Sequence, residues 1–343
     1  SSIMLRGQRV PLAANFTAGY GVWLARANFN RQSLRSLLGR EGGIDRPHVY
    51  LMQPYDPNRR IIVMLHGLAS SPEAWVELAN EILGDEALRQ HYQIWQVYYP
   101  TNMPVALNHA MIRRALGETL THFDPSGQAP ASSDLVLVGH SMGGVIARLM
   151  VSSTDQSLVQ LAADHSRLTP QQIRRIDPML RFEPFPNVSS AIFIAAPHRG
   201  TSVAGGRLGR WMAGFIRFPI TVLEELAHTL APNAAASSRE SLATIPNSVN
   251  NLDENDPFVR TAAGFPISSQ VRYHSIVAQA NSEVALDDSD DGLVPYRSAH
   301  LPGAQSEKVI ISGHSVQQSA AAILEIQRIL REDMALREAH LQP

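Results

Sequence analysis

Six short apolar runs, rich in valine and isoleucine and bounded by turn residues, divide the chain from about residue 60 onward. They are "RIIVMLHG" ending at Gly67, "IWQVYYP" at Pro100, "DLVLVGHS" at Ser141, "SAIFIAAPHRG" at Gly200, "RYHSIVAQ" at Gln279 and "KVIISGH" at His314. Runs this short read as strands, and their near-continuous hydrophobicity implies burial on both faces. Stretches of helical composition lie between them, so consecutive strands are joined by crossovers and the sheet is expected to be mainly parallel, with helices flanking it. "HVYLMQPYDPNRR" is expected to add an earlier strand and a turn.

The expected helices are "SPEAWVELANEILGD", "VALNHAMIRRALGETLTHF", "GGVIARLMVSS" and the C-terminal "SVQQSAAAILEIQRILREDMALREA". In the last, Val316, Ala320, Ile323 and Leu324 share a face at helical spacing and read as a packing stripe. Residues 1–47 read as an N-terminal extension packed on the core, with a helix in "TAGYGVWLARANFNRQSLRSLLG", and residues 48–343 as the main domain. Two segments exceed ordinary connections: one from about Ser152 to Val188, the other a lid-like insertion at about 202–270. The second clusters Trp211, Phe215 and Phe218 with other apolar residues, as expected of a helical subdomain whose inner face roofs a substrate pocket.

Composition removes several classes of function. The net charge is −2 and no basic run stands out, so nucleic acid is not an expected partner. There is no cysteine, which excludes disulfides, thiolate catalysis and cysteine metal sites. The first residues lack a charged start followed by an apolar stretch, and no apolar run approaches the roughly 18 residues that span a bilayer. A soluble form is expected, in the cytoplasm or secreted. Oligomeric state stays open.

The tripeptide Gly-His-Ser occurs twice, in "LVLVGHSMGGV" and in "VIISGHSVQQS". In the first, Gly139, Ser141 and Gly143 complete G-x-S-x-G between a strand and a helix. A serine on so sharp a turn needs small residues two positions before and after it, so that strand and helix can pass closely. Ser315 fails that test, because Val316 and Gln317 follow it. Ser141 is the expected nucleophile, and the neighbouring His140 is expected to pack or to shape the pocket. A developing oxyanion needs backbone N–H donors, for which Met142 and, after the first strand's His66-Gly67, Leu68 are the candidates. His66 reads as structural support for that loop.

In a strand-ordered site of this kind the nucleophile is followed by an acid and then a histidine. His314 has the strand-then-loop setting that His274 and His300 lack, so the second tripeptide supplies the base. The acid is sought in "LDDSDDGLVPYRSA". There Asp287, Ser289, Asp291 and Gly292 partly imitate a calcium loop, but Ser298 stands where a bidentate glutamate is required. Asp291 is the expected acid, because "DGLVP" pairs it with a glycine turn and an apolar flank; Asp290 is the fallback.

Taken in order, "HGLAS", "GHSMGG", "APHRGT", "DGLVP" and the late "GH" resemble the lipase and esterase branch of the α/β-hydrolase superfamily over residues 50–343. The resemblance implies an α/β-hydrolase fold with a helical lid or cap. It also implies a stretch, Ala196 to Thr201, that opens the lid region, with Pro197 and Gly200 shaping the turn and Arg199 structural. The expected chemistry is ester hydrolysis through an acyl-enzyme on Ser141, with His314 as base, Asp291 orienting it and no metal or cofactor. The expected substrates are hydrophobic esters touching Trp211, Phe215 and Phe218, small or polymeric, with a lipid interface as a further partner. Polyester cleavage, thioester hydrolysis and acyl transfer share the same residues, and a noncatalytic binding protein of the same fold is the remaining alternative.

Overall fold

The computed structural model describes residues 2–11, 14–27, 46–154, 158–160, 170–202 and 251–341. Its strands are β1 (Ser2–Leu5), β2 (Gln8–Pro11), β3 (His48–Leu51), β4 (Arg60–Leu65), β5 (Tyr92–Tyr98), β6 (Leu135–His140), β7 (Val188–Ile194), β8 (Arg272–Gln279) and β9 (Ser306–Ile311). Seven of them form one sheet in the order β3-β5-β4-β6-β7-β8-β9. Only β3 runs antiparallel to its neighbour; every other pair is parallel. All six apolar runs are strands of this sheet. The β1–β2 hairpin stands apart from it.

Burial explains why these strands carry no polar alternation. Ile61, Val63 and Leu65 of β4 point to one face, where they meet α4 (Val105–Phe123) and α5 (Met142–Leu149). Ile62 and Met64 point to the other, against α2 (Val76–Gly84) and α9 (Ala320–Leu341). Each face lies under a helical layer, so both sets of alternating positions must be apolar. The result is a three-layer α/β-hydrolase fold. The shorter helices are α1 (Ala18–Ala27), α3 (Glu86–His91), α6 (Pro170–Leu180), α7 (Pro257–Ala262) and α8 (Tyr296–Ala299).

The sequence-based stripe of the last helix needs correction. Leu324 is 64% exposed and Ala320 is exposed, while Ala322, Ile323, Ile326, Ile329 and Leu330 form the buried face. A 3₁₀ turn, Val316–Gln318, precedes the helix, which begins only at Ala320. The helical phase counted from Val316 therefore does not carry into it.

Of residues 1–47, α1 lies against the β3–β5 edge, with Leu24 and Tyr98 buried together and Tyr20 Oη donating to Gln96 Oε1. At the N-terminal ends of the strands, Arg60, Arg272 and the Tyr92 hydroxyl converge on the buried carboxylate of Asp333 from α9. One carboxylate there pairs with two guanidinium groups and ties the last helix to three strands. Ser141, Asp291 and His314 follow the opposite, C-terminal ends of β6, β8 and β9, the end at which parallel sheets usually bind ligands. No described helix is long and apolar enough to cross a membrane.

Candidate active site

Ser141 stands between β6 and α5 with φ 54° and ψ −124°, a left-handed conformation that a non-glycine residue adopts only where its surroundings hold it. The surroundings are the glycines. A Cβ on Gly143 would lie 2.2 Å from the Leu65 carbonyl oxygen and 2.4 Å from that of His66, and one on Gly139 would lie 2.4 Å from the Gly143 carbonyl oxygen. These are backbone atoms with nowhere to retreat. Gly143→Ala is therefore expected to cost about 3 kcal/mol and to lower the thermal midpoint by roughly 5–10 °C; a melt within a degree of wild type would contradict this packing.

His314 follows β9, and its Nε2 lies 2.8 Å from Ser141 Oγ. Asp291 follows β8, and its Oδ2 lies 2.8 Å from His314 Nδ1. An ionised carboxylate only accepts, so Nδ1–H donates to Asp291 and the Nε2 lone pair is left for the Ser141 hydroxyl proton. The other oxygen of Asp291 accepts from the amides of Leu293 (2.9 Å) and Val294 (2.7 Å). That carboxylate, its side chain 1% exposed, cannot turn away from the histidine without breaking three bonds. Asp290 instead accepts from the Gly292 amide. The structure thus brings Ser141, His314 and Asp291 together and leaves Asp290 outside the chain of hydrogen bonds.

Leu68 follows β4, and Met142 is the first residue of α5, directly after Ser141. Neither amide has an acceptor among the described residues. The loop carrying Leu68 is set by His66. The Tyr99 amide donates to His66 Nε2 (3.4 Å), so the ring proton is on Nδ1, which donates to the Gly67 carbonyl (3.0 Å). In a trans peptide the Leu68 N–H then points away from the His66 ring. Burial pushes the His66 imidazole down to about 4, which keeps it neutral and in that tautomer. A Cβ on Gly67 would come to 3.0 Å from the Ser141 Cβ, so a larger residue there would press on Ser141 and His140.

Trp211, Phe215 and Phe218 lie outside the described residues. The roots of their segment do not. Thr201 N–H donates to the Leu252 carbonyl and Glu254 N–H to that of Thr201, so the chain leaves and re-enters at one point. The Thr201 hydroxyl donates to the Leu293 carbonyl beside Asp291. Arg199, expected to be structural, donates through Nη1 to the carbonyls of Arg297 and His300 (both 2.7 Å). Ser298 Oγ accepts from the Arg199 amide and donates to the Gly200 carbonyl. "APHRGT" is therefore laced to the segment that follows Asp291, a pairing that sequence reasoning did not find.

A model of the alpha/beta hydrolase family matches residues 62–326, a span that contains Ser141, Asp291 and His314. The chain belongs to the alpha/beta hydrolase family. No curated protein matches this chain significantly. Among solved structures it is similar to the lipase BlEst2 of Bacillus licheniformis in mature form, at 18% identity, covering 82% of this chain and 98% of that one, with a TM-score of 0.47. It is also similar to the metagenomic carboxyl esterase MGS0156, at 17% identity over 81% and 77% of the two chains with a TM-score of 0.44. A third is esterase B of Lactobacillus rhamnosis, at 14% identity over 94% and 96% with a TM-score of 0.42.

Proposed function

We propose that this hydrolase cleaves carboxylic ester bonds through an acyl-enzyme on Ser141. The observation that carries the reading is the continuous hydrogen-bond chain Ser141 Oγ, His314 Nε2, His314 Nδ1, Asp291 Oδ2, with both distances 2.8 Å. Ser141 Oγ attacks the ester carbonyl while its proton passes to His314 Nε2, and Asp291 stabilises the imidazolium so formed. The Leu68 and Met142 amides hold the tetrahedral oxyanion. His314 then hands the proton to the departing alcohol, and water repeats the sequence on the acyl-enzyme to release the acid. No metal or organic cofactor enters this chemistry.

The preference for hydrophobic esters rests on the apolar composition of the insertion around Trp211, Phe215 and Phe218, which is rooted at Thr201 beside the acid loop. A serine-directed alkyl phosphonate is expected to label Ser141 stoichiometrically. Peptide mapping that found the adduct elsewhere, or none, would remove the serine mechanism. A p-nitrophenyl ester series from acetate to palmitate, run beside emulsified triglyceride and an insoluble polyester, sets the substrate class. Rising kcat/KM with acyl length is expected. Activity confined to acetate and butyrate would limit the reading to short soluble esters, and reaction only with a thioester or an acceptor alcohol would turn it to thioester hydrolysis or acyl transfer.

A further inference from the structure

His140 precedes the nucleophile, yet its ring faces a different part of the site. It is 5% exposed, and its Nε2 lies 2.9 Å from the main-chain carbonyl oxygen of His314, 174 residues away. The two imidazoles sit with centroids 5.0 Å apart at 46°. A carbonyl oxygen only accepts, so the His140 proton is on Nε2 and is donated to His314. The other ring nitrogen, Nδ1, is buried with no hydrogen-bond partner and faces Gly67, where an added Cβ would come within 3.1 Å of it.

We propose that His140 is the positioning residue for the catalytic base: its Nε2–H clamps the His314 carbonyl and so fixes where the His314 ring meets Ser141 and Asp291. The inference rests on the serine-hydrolase reading above and adds a residue to it. His314 is carried on the loop between β9 and the Val316–Gln318 turn. The Ser312 amide donates to the Gln279 carbonyl at the start of that loop, and the Gln318 amide closes the turn on the Ser315 carbonyl at its end. Between them, the bond from His140 is the one that ties the His314 carbonyl to the rest of the described protein. The clamp and the nucleophile are consecutive residues, so the distance from Ser141 to the histidine loop is set by a single rigid element, the end of β6.

The clamp also has to stay uncharged, because a cation there would oppose the imidazolium that forms on His314. Burial, and then the neighbouring His314, push the His140 imidazole down to about 3. It therefore remains a neutral donor throughout the pH range in which esters are turned over. Its unpartnered Nδ1 is a cost that a residue chosen only for packing would not carry.

The test compares His140→Leu, which fills the space without an N–H, with His140→Gln, whose amide nitrogen reaches about as far from Cβ as Nε2 does. The readouts are the rate of Ser141 labelling by an alkyl phosphonate, kcat and KM on p-nitrophenyl butyrate, and the thermal midpoint. An ångström of misplacement costs on the order of 100-fold in rate. His140→Leu is expected to lower kcat and the labelling rate by roughly that factor with KM within about twofold, and His140→Gln to restore at least about a tenth of wild-type rate. Labelling of His140→Leu at the wild-type rate overturns the proposal, as does equal loss in the two variants, which would point to packing. If His140→Leu does not fold, ¹⁵N-edited NMR of the wild-type imidazoles decides: Nε2 protonation of His140 supports the clamp, and the Nδ1–H tautomer overturns it. Absence of labelling at Ser141 in the wild type would instead defeat the underlying serine mechanism.

Discussion

Ser141→Ala is expected to lose on the order of a millionfold in kcat, the scale seen when the nucleophile of a triad acting as one unit is removed. That corresponds to about 8 kcal/mol of transition-state stabilisation. The variant should fold as well as wild type, because Ser141 Oγ has His314 as its hydrogen-bond partner and the elbow is held by backbone and glycines. KM should change little, since substrate binding does not use the hydroxyl. Near-wild-type turnover by a folded Ser141→Ala would end the assignment. The acid is tested in the same series. Asp291→Asn should cost on the order of 10⁴ in kcat, because a neutral amide no longer selects the Nδ1–H tautomer of His314. Asp290→Asn should stay within a few-fold, since that carboxylate accepts from the Gly292 amide and not from the histidine. A reversal of the two effects would transfer the role to Asp290.

That choice between adjacent aspartates marks where sequence stops and folded geometry begins. The strands were legible because burial on both faces leaves an uninterrupted apolar run, and the elbow because sterics demand glycine on both sides of Ser141. "DGLVP" narrowed the acid to a loop but not to an orientation. In the fold, Asp290 is paired across the loop with Pro295, and the Asp291 amide donates to the Val294 carbonyl. That pairing turns consecutive side chains to opposite sides, so only one reaches His314. The contact of His140 with the His314 carbonyl and the lacing of Arg199 and Ser298 join residues about a hundred or more positions apart, and no periodicity encodes them. Of the stripe read in the last helix, Val316 and Ile323 are buried and Ala320 and Leu324 are not, for a local reason: the 3₁₀ turn before Ala320 resets the helical phase.

Acid is expected to destabilise this chain strongly toward pH 5, because several imidazoles among the described residues are buried without charge. His66, His109, His140 and His198 are each no more than 5% exposed. Burial pushes them down to about 4, about 3 and about 3 for the first three, and well below the ordinary histidine range for His198, where Arg148 and Arg199 add repulsion. In the unfolded chain each titrates near 6.5. The folded values are the lower ones, so the unfolded state binds more protons and stability rises with pH. It is therefore intact above about pH 6.5 and is lost as pH falls from there toward the folded values. At pH 5 His66, His109 and His140 each take away about 2 kcal/mol, roughly 6 kcal/mol together, and His198 acts in the same direction, against a total stability of about 5–15 kcal/mol for an ordinary domain. Thermal midpoints by circular dichroism at pH 8, 6 and 5 measure the loss, and a midpoint unchanged between pH 8 and 5 would refute it. His109 separates this effect from the active site: it packs edge-on against Phe182, and its Nε2 has no hydrogen-bond partner. His109→Leu removes one site of proton uptake and should recover about 2 kcal/mol of the loss at pH 5.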